Sequence, residues 1–320
     1  MARDQRPVSC ELNGEIIDPS NSPNVSAVRW YSVSLLEIYY PITSPFFGMQ
    51  EILSMDVSSG DEEEEESEYR IRFGDQIKYI IVQGGIFDED TRSSMPDLLA
   101  ALPRLPNGDW TTARVSKAAH RDTITYQLSY RTLDRITTLW HPTKIDVQSL
   151  SVIKRHNKWV CSVTPAPASN HTFDFERAIL KIARFELEIP ILENETALYQ
   201  IIHTKCPGLA PRFLGHVVEH ERAMGFLLEF IEGRRAGVED LEGCQKALKR
   251  LHSRRILHGD VNRFNFIVSE GGRIYLIDFA NSKLDASEEE MRKEYEALHR
   301  QLAKESNSKS TLRSPTDRPV

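Results

Sequence analysis

The sequence predicts an α+β protein whose first part is strand-rich and whose second part mixes strands with helices. Three observations lead there. Segments before about residue 145 are rich in Ile, Val, Tyr and Thr, and several alternate apolar with polar residues, as half-buried strands do. From about Gln148, strand-like runs alternate with stretches of helical periodicity. The composition, 40% hydrophobic and 27% charged over 320 residues, suits a globular chain with one large core or two ordinary ones.

In chain order, residues 1–25 are polar and rich in Pro, Ser and Asn and read as a disordered tail. Residues 26–145 read as a β-rich region, with strands over Trp30–Tyr40, Tyr69–Phe73, Ile77–Gln83 and Thr123–Tyr130. Tyr69-Arg-Ile71-Arg-Phe73 alternates strictly, and Gly74-Asp75-Gln76 after it reads as a hairpin turn. Met95–Leu102 reads as a short helix stopped by Pro103. Within this region residues 56–68 form an acidic loop, where a run of like charge repels itself and stays solvated. Ser58 and Ser59 precede the acids, so an acid-directed kinase has a target there, although a plain loop is the simpler reading.

Residues 146–305 carry strands over Ser149–Lys154, Trp159–Thr164 and Ala178–Arg184, then a helix that Pro190 opens and that runs to Ile202. Arg212–Val218 and Phe226–Ile231 read as strands, and Val238, Leu241, Leu248 and Leu251 form a helical stripe. A hairpin follows, Phe266–Val268 with Arg273–Ile277 turned at Gly271-Gly272, and then an amphipathic helix over Glu288–Leu302. Residues 306–320 read as a second disordered tail.

Composition excludes several classes. A net charge of -7 argues against a nucleic-acid binder held by phosphate contacts. The four cysteines are scattered without C-x-x-C spacing, which argues against a zinc site or a disulfide framework. The first residues lack an apolar signal core, and no run approaches the roughly 20 apolar residues of a membrane helix. A cytoplasmic or nuclear protein without a membrane partner is expected.

The chemistry concentrates late in the chain. In His258-Gly-Asp260-Val-Asn262-Arg263-Phe-Asn265, Asp260 and Asn265 stand five residues apart between a helix and a hairpin. Asp278 ends the second strand of that hairpin, which brings it back toward Asn265. Oxygen ligands of this kind suit magnesium. The segment resembles the H-x-D-x4-N catalytic loop of the protein-kinase-like superfamily, and Ile277-Asp278-Phe279 resembles its D-F-G segment. The resemblance implies a bilobal kinase-like fold with a minimal C-lobe over residues 146–305, preceded by the β-rich region. It implies ATP and magnesium as cofactors, Asp260 as catalytic base, and Asn265 and Asp278 as metal ligands. Ala178-Ile-Leu-Lys181 resembles the strand lysine of the same superfamily, and a lysine in an apolar strand needs a partner. Ile191, Glu195, Leu198 and Ile202 are spaced four, three and four apart and share one helix face, so Glu195 is the partner and Glu193 points away. Glu229–Ile231 lie where kinase-like proteins place the linker between lobes, which implies that the Glu229 and Ile231 backbone meets adenine.

Segments such as Trp140-His-Pro-Thr-Lys-Ile-Asp146, Lys181–Ile189, Arg212-Phe-Leu-Gly-His216 and His258–Asn262 resemble a fungal group of small kinase-like proteins. Some members carry a glycosidase label, but no paired-carboxylate site supports that here. The H-G-D form of the loop is similar to that of aminoglycoside phosphotransferases, choline kinases and a small tRNA-modification kinase. Five departures from protein kinases narrow the reading. No glycine-rich loop precedes Lys181, only the basic turn Arg155-His-Asn-Lys158. Gly259 stands where an arginine would read an activation-loop phosphate. Ala280 replaces the D-F-G glycine, and Asn262 replaces a lysine, with Arg263 beside it. Only about 40 residues follow Asp278, so the helices that dock a substrate are missing. An active kinase acting on a protein or small-molecule hydroxyl is the preferred reading, ahead of a pseudokinase scaffold and of an ATPase without an acceptor. The N-terminal region or a partner protein is expected to complete the substrate site.

Overall fold

Beginning at Gln50, the chain folds as a strand-rich block, a strap and two lobes. The structure, a computed structural model, describes residues 50–58, 65–74, 76–118, 121–167 and 173–303. All of them lie in the unit Phe47–Val320. The expected strand at Trp30–Tyr40 and both expected tails fall outside the described residues.

The first block is a five-stranded sheet in chain order: β1 (Gln50–Asp56), β2 (Ser67–Phe73), β3 (Gln76–Val82), β4 (Thr112–Ala118) and β5 (Arg121–Ser129). β2 and β3 form the expected hairpin, with Phe73 opposite Gln76 and Gly74 at φ +62, a left-handed value that favours glycine. β3 and β4 are parallel, so the chain must cross over, and α1 (Glu89–Ser93) and α2 (Met95–Ala101) lie on that crossover. Asp88 starts α1 by accepting from Thr91 N at 2.7 Å. Tyr69, Ile71, Ile80, Val82, Leu98, Trp110 and Val115 form the core of this block. The alternation in β2 suggests one buried face, yet Arg70 is also buried. Its guanidinium is paired with Glu219 of a later strand, so both faces of β2 are covered. The acidic loop is shorter than 56–68, because Asp56 closes β1 and Ser67 and Glu68 open β2.

Residues 130–143 hold no strand or helix and form the strap. The strap leads into a six-stranded sheet of order β6-β10-β11-β9-β8-β7. Its strands are β6 (Lys144–Asp146), β7 (Leu150–Arg155), β8 (Val160–Pro165), β9 (Ala178–Ile182), β10 (Phe213–Glu219) and β11 (Arg222–Glu229). β6 adds to β10 in parallel. Helix α3 (Ile189–Lys205), with Pro in its first turn, follows β9 and packs Leu192, Leu198, Tyr199 and Ile202 into the core. Ile191, expected inward, is 37% exposed, while Ile189 and Leu192 on either side of it are buried.

The last lobe is small. It holds β12 (Gly233–Arg235), α4 (Leu241–His252), β13 (Phe266–Ser269), β14 (Ile274–Leu276) and α5 (Glu288–Ala303), with a sheet of order β12-β13-β14. Leu248 and Leu251 of α4, Phe266 and Leu276 of the hairpin, and Leu298 and Leu302 of α5 share one core with α3. Val238, expected in the α4 stripe, is exposed in the turn before the helix. Among the described residues, Cys161, Cys206 and Cys244 are buried, and no helix is long and apolar enough to cross a membrane.

Candidate functional site

Strand β9 lies between β8 and β11, which places Lys181 in the middle of the sheet, opposite Val160 and Phe226. Its ammonium is 2.6 Å from Glu195 Oε1 and 2.8 Å from Asp278 Oδ1. Burial works against the charge on Lys181, but the two carboxylates outweigh it and raise its pKa. Glu195 is fully buried, and burial, helped by Asp278, holds its carboxyl above the ordinary range against the pull of Lys181. Glu195 Oε1 also accepts from Phe279 N at 3.0 Å, which ties α3 to the segment carrying Asp278. The Tyr199 and Phe279 rings pack edge-on across the same seam at 5.3 Å.

Asp278 follows β14 with φ +68. Left-handed backbone is strained for most side chains and least unfavourable for Gly, Asn and Asp. This conformation accompanies an Asp278 carboxylate that reaches Lys181 while its side chain stays 45% exposed.

The second half of the site is the loop from His258 to Asn265. Asn265 Nδ2 donates to Asp260 O at 2.8 Å and Oδ2 at 3.1 Å, and Asn262 Nδ2 donates to Asp260 Oδ1 at 3.0 Å. Both oxygens of Asp260 are therefore oriented by amides. Asn262, which the sequence presents only as a missing lysine, aims the carboxylate and also caps the turn by accepting from Phe264 N at 2.8 Å. Burial holds His258 below its ordinary pKa, so the ring is neutral. It bridges the two halves, with Nε2 donating to Ile277 O at 3.1 Å and Nδ1 accepting from Asp260 N at 3.4 Å. Ile277 N donates to Asn265 O at 3.0 Å and closes the join.

Gly259 has φ +82, and a Cβ there would stand 2.1 Å from Asn281 O. An arginine at this position is thus excluded by backbone, apart from any question of phosphate reading. The loop is gripped from behind by Glu294 of α5. Its carboxylate accepts from Gly259 N at 2.7 Å, His258 N at 3.1 Å and His252 Nε2 at 2.7 Å. These donors hold the Glu294 pKa down although burial opposes them. Glu294 and His252 escaped the sequence reading, because nothing in a charged helix singles out one glutamate of many.

Glu229 and Ile231 are not brought to this cluster. Glu229 ends β11, and its N donates to Arg212 O at 2.8 Å. Ile231 lies between β11 and β12, on the connection between the lobes. The β7–β8 turn folds on itself: Asn157 Oδ1 accepts from Trp159 N at 2.8 Å and Val160 N at 2.9 Å, and His156 Nε2 meets Ser162 Oγ at 2.7 Å. Burial first, then the charges of Lys154 and Arg235, hold His156 below its usual pKa, so cationic groups gather around this turn.

The donor set fits a hard cation. With its Nδ2 turned to Asp260, Asn265 keeps its carbonyl oxygen for another partner. Two carboxylates share one ammonium at Lys181, and Asp260 adds a third, so the cluster carries excess negative charge. Among the described residues no group of three or more His, Cys, Asp or Glu stands ready to hold a metal alone. A cation here would complete its shell with phosphate oxygens and water, as magnesium does beside nucleotides.

Residues 234–313 match the family model of the RIO domain, an atypical protein-kinase-like family. The domain is protein-kinase-like. The kinase-like match spans Asp260, Asn265 and Asp278 and begins after Lys181, Glu195, Glu229 and Ile231. The mixed strand and helix content and the small last lobe accord with that fold. The match implies an atypical kinase-like domain of an ATP-binding type. No curated protein matches the chain.

Proposed function

We propose that this protein binds ATP with magnesium and transfers the terminal phosphoryl group to a hydroxyl of a protein or small molecule. The observation that carries the reading is the single connected cluster in which Lys181 joins Glu195 to Asp278 while Asn265 and Asn262 orient Asp260. Phosphoryl transfer asks for little more than such positioning and charge. In this reading Lys181 holds the nucleotide phosphates, Asn265 and Asp278 hold the metal, and Asp260 accepts the hydroxyl proton. Adenine rests against the Glu229–Ile231 backbone. A partner protein completes the acceptor site, because among the described residues the last lobe holds α4, α5 and the small sheet alone.

A second reading, a pseudokinase scaffold, draws on the self-closed, glycine-free β7–β8 turn and on Ala280. A thermal melt separates the two. A ligand that binds only the folded state raises the melting temperature, by about 2.7 kcal/mol of stability at a hundredfold excess over Kd. No shift at millimolar ATP and magnesium would remove the kinase reading. Labelled ATP with cell extract then tests transfer, and a product that persists with Asp260→Ala would remove Asp260 from its role.

A further inference from the structure

Helix α3 is held from outside as well as from inside. Glu195 faces inward to Lys181. Glu193, two residues earlier, lies about 200° around the helix and faces the strap. Its carboxylate accepts from Thr137 N at 2.6 Å, Thr137 Oγ1 at 3.1 Å, Thr138 N at 3.0 Å and Thr138 Oγ1 at 2.5 Å. Four donors saturate a carboxylate. One turn further on, Trp140 Nε1 donates to Thr196 O at 3.0 Å, and its ring lies 4.5 Å from that of Phe213. One turn before the helix, Glu186 takes the Arg131 guanidinium and Asp134 N. The strap is itself anchored: Ile136 is fully buried, and its N donates to Ala223 O at 2.8 Å. A segment without secondary structure thus bonds α3 at 193 and 196 and the turn that leads into it at 186.

We propose that Thr137, Thr138 and Trp140 are positioning residues for the Lys181–Glu195 pair, acting through Glu193 and the α3 backbone. The proposal rests on the phosphotransfer reading. The strap serves as a built-in brace, and the strand-rich block serves as its mount. The contacts of that block fit the role. Arg70 pairs with Glu219, Tyr79 accepts from Arg222 at 2.7 Å, and Met55 O accepts from Arg184 at 3.4 Å. All three partners sit in the strand lobe near α3 and the β10–β11 turn.

The test uses the full chain with Glu193→Ala and with Thr137→Ala/Thr138→Val, which removes the hydroxyl bonds and keeps the strap amides. Magnesium-dependent ATP turnover should fall about tenfold in each, the loss of roughly one charge-assisted hydrogen bond. ADP affinity without metal should change less than about threefold, because adenine contacts are elsewhere. On a Glu195→Ala background the same changes should cost no further turnover, whereas a merely structural role would cost the same on both backgrounds. Hydrogen exchange over residues 189–205 should speed up at least tenfold. Unchanged exchange there, or equal turnover losses on the two backgrounds, overturns the proposal. A wild-type chain that turns over no ATP overturns the phosphotransfer reading instead, and exchange still decides whether the strap braces α3.

Discussion

Replacing Glu294 by alanine removes the partner of three donors at once: the amides of His258 and Gly259 and the Nε2 of His252. His258 is fully buried, so its amide is left without water or protein. Gly259 is exposed, and its amide re-solvates cheaply. An orphaned buried donor costs about 1–3 kcal/mol, and bonds to a charged acceptor are the stronger ones. The sum comes to about 2–4 kcal/mol, or a melting temperature lower by about 3–6 °C in a chain of this size. Glu294→Gln keeps one oxygen, satisfies one amide and turns an NH2 toward the other, so roughly half the loss is expected. Turnover should fall further than stability alone requires, since the loop carrying Asp260 loses its rear support. Thermal melts and ATP turnover of both variants check this. A Glu294→Ala chain that melts within about 1 °C of wild type would refute the reasoning.

Other outcomes follow from the same geometry. The Glu68 carboxyl is pushed up to about 7 from 4.5, by burial first and then by Glu186, Asp56 and Glu188. The folded state therefore favours the proton; its contribution is full below about 4.5, is lost as pH rises through about 7, and amounts to at most about 3 kcal/mol. Glu68→Gln should raise the melting temperature at pH 8 and leave it nearly unchanged at pH 5, and equal shifts at both would exclude the effect. Gly259→Ala drives a Cβ against Asn281 O, and turnover should drop at least tenfold with a destabilisation of about 1–3 kcal/mol. Asp278→Asn keeps the shape and removes a charge from the Lys181 cluster; the extra thermal shift that magnesium adds to ATP should vanish, and its survival would place the metal elsewhere.

The parts of the site that were legible in the sequence are those with local spacing. Asp260, Asn265 and Asp278 stand on one loop and one hairpin, and once the kinase resemblance puts the partner of Lys181 on the following helix, periodicity selects Glu195 over Glu193, the residue that bonds Lys181 being Glu195. The pieces that were not legible have distant partners. Arg70 in β2 reads as a solvent-facing residue until Glu219 covers it. Glu294 acquires its meaning only when α5 packs behind the loop. The strap carries no periodicity, because an extended segment bonded through side chains leaves no repeat. The crossover between β3 and β4 was missed for a related reason: strand patterns reveal a face but not a neighbour. Ile191 shows the limit of periodicity itself: it shares the face of Glu195 and Leu198, yet the helix start buries Ile189 and Leu192 instead.

The Arg70–Glu219 pair also has a consequence for the order in which the protein can be completed. The two residues are 149 positions apart, and β6 likewise waits for β10. During synthesis the strand-rich block emerges first, with a guanidinium on a face that has no cover until residue 219 has left the ribosome. Closure of that face is a late, long-range step, the kind that slows folding and leaves partly built chains exposed. Truncations ending before β10 should then be poorly soluble, while the block and the lobe it mounts become stable together.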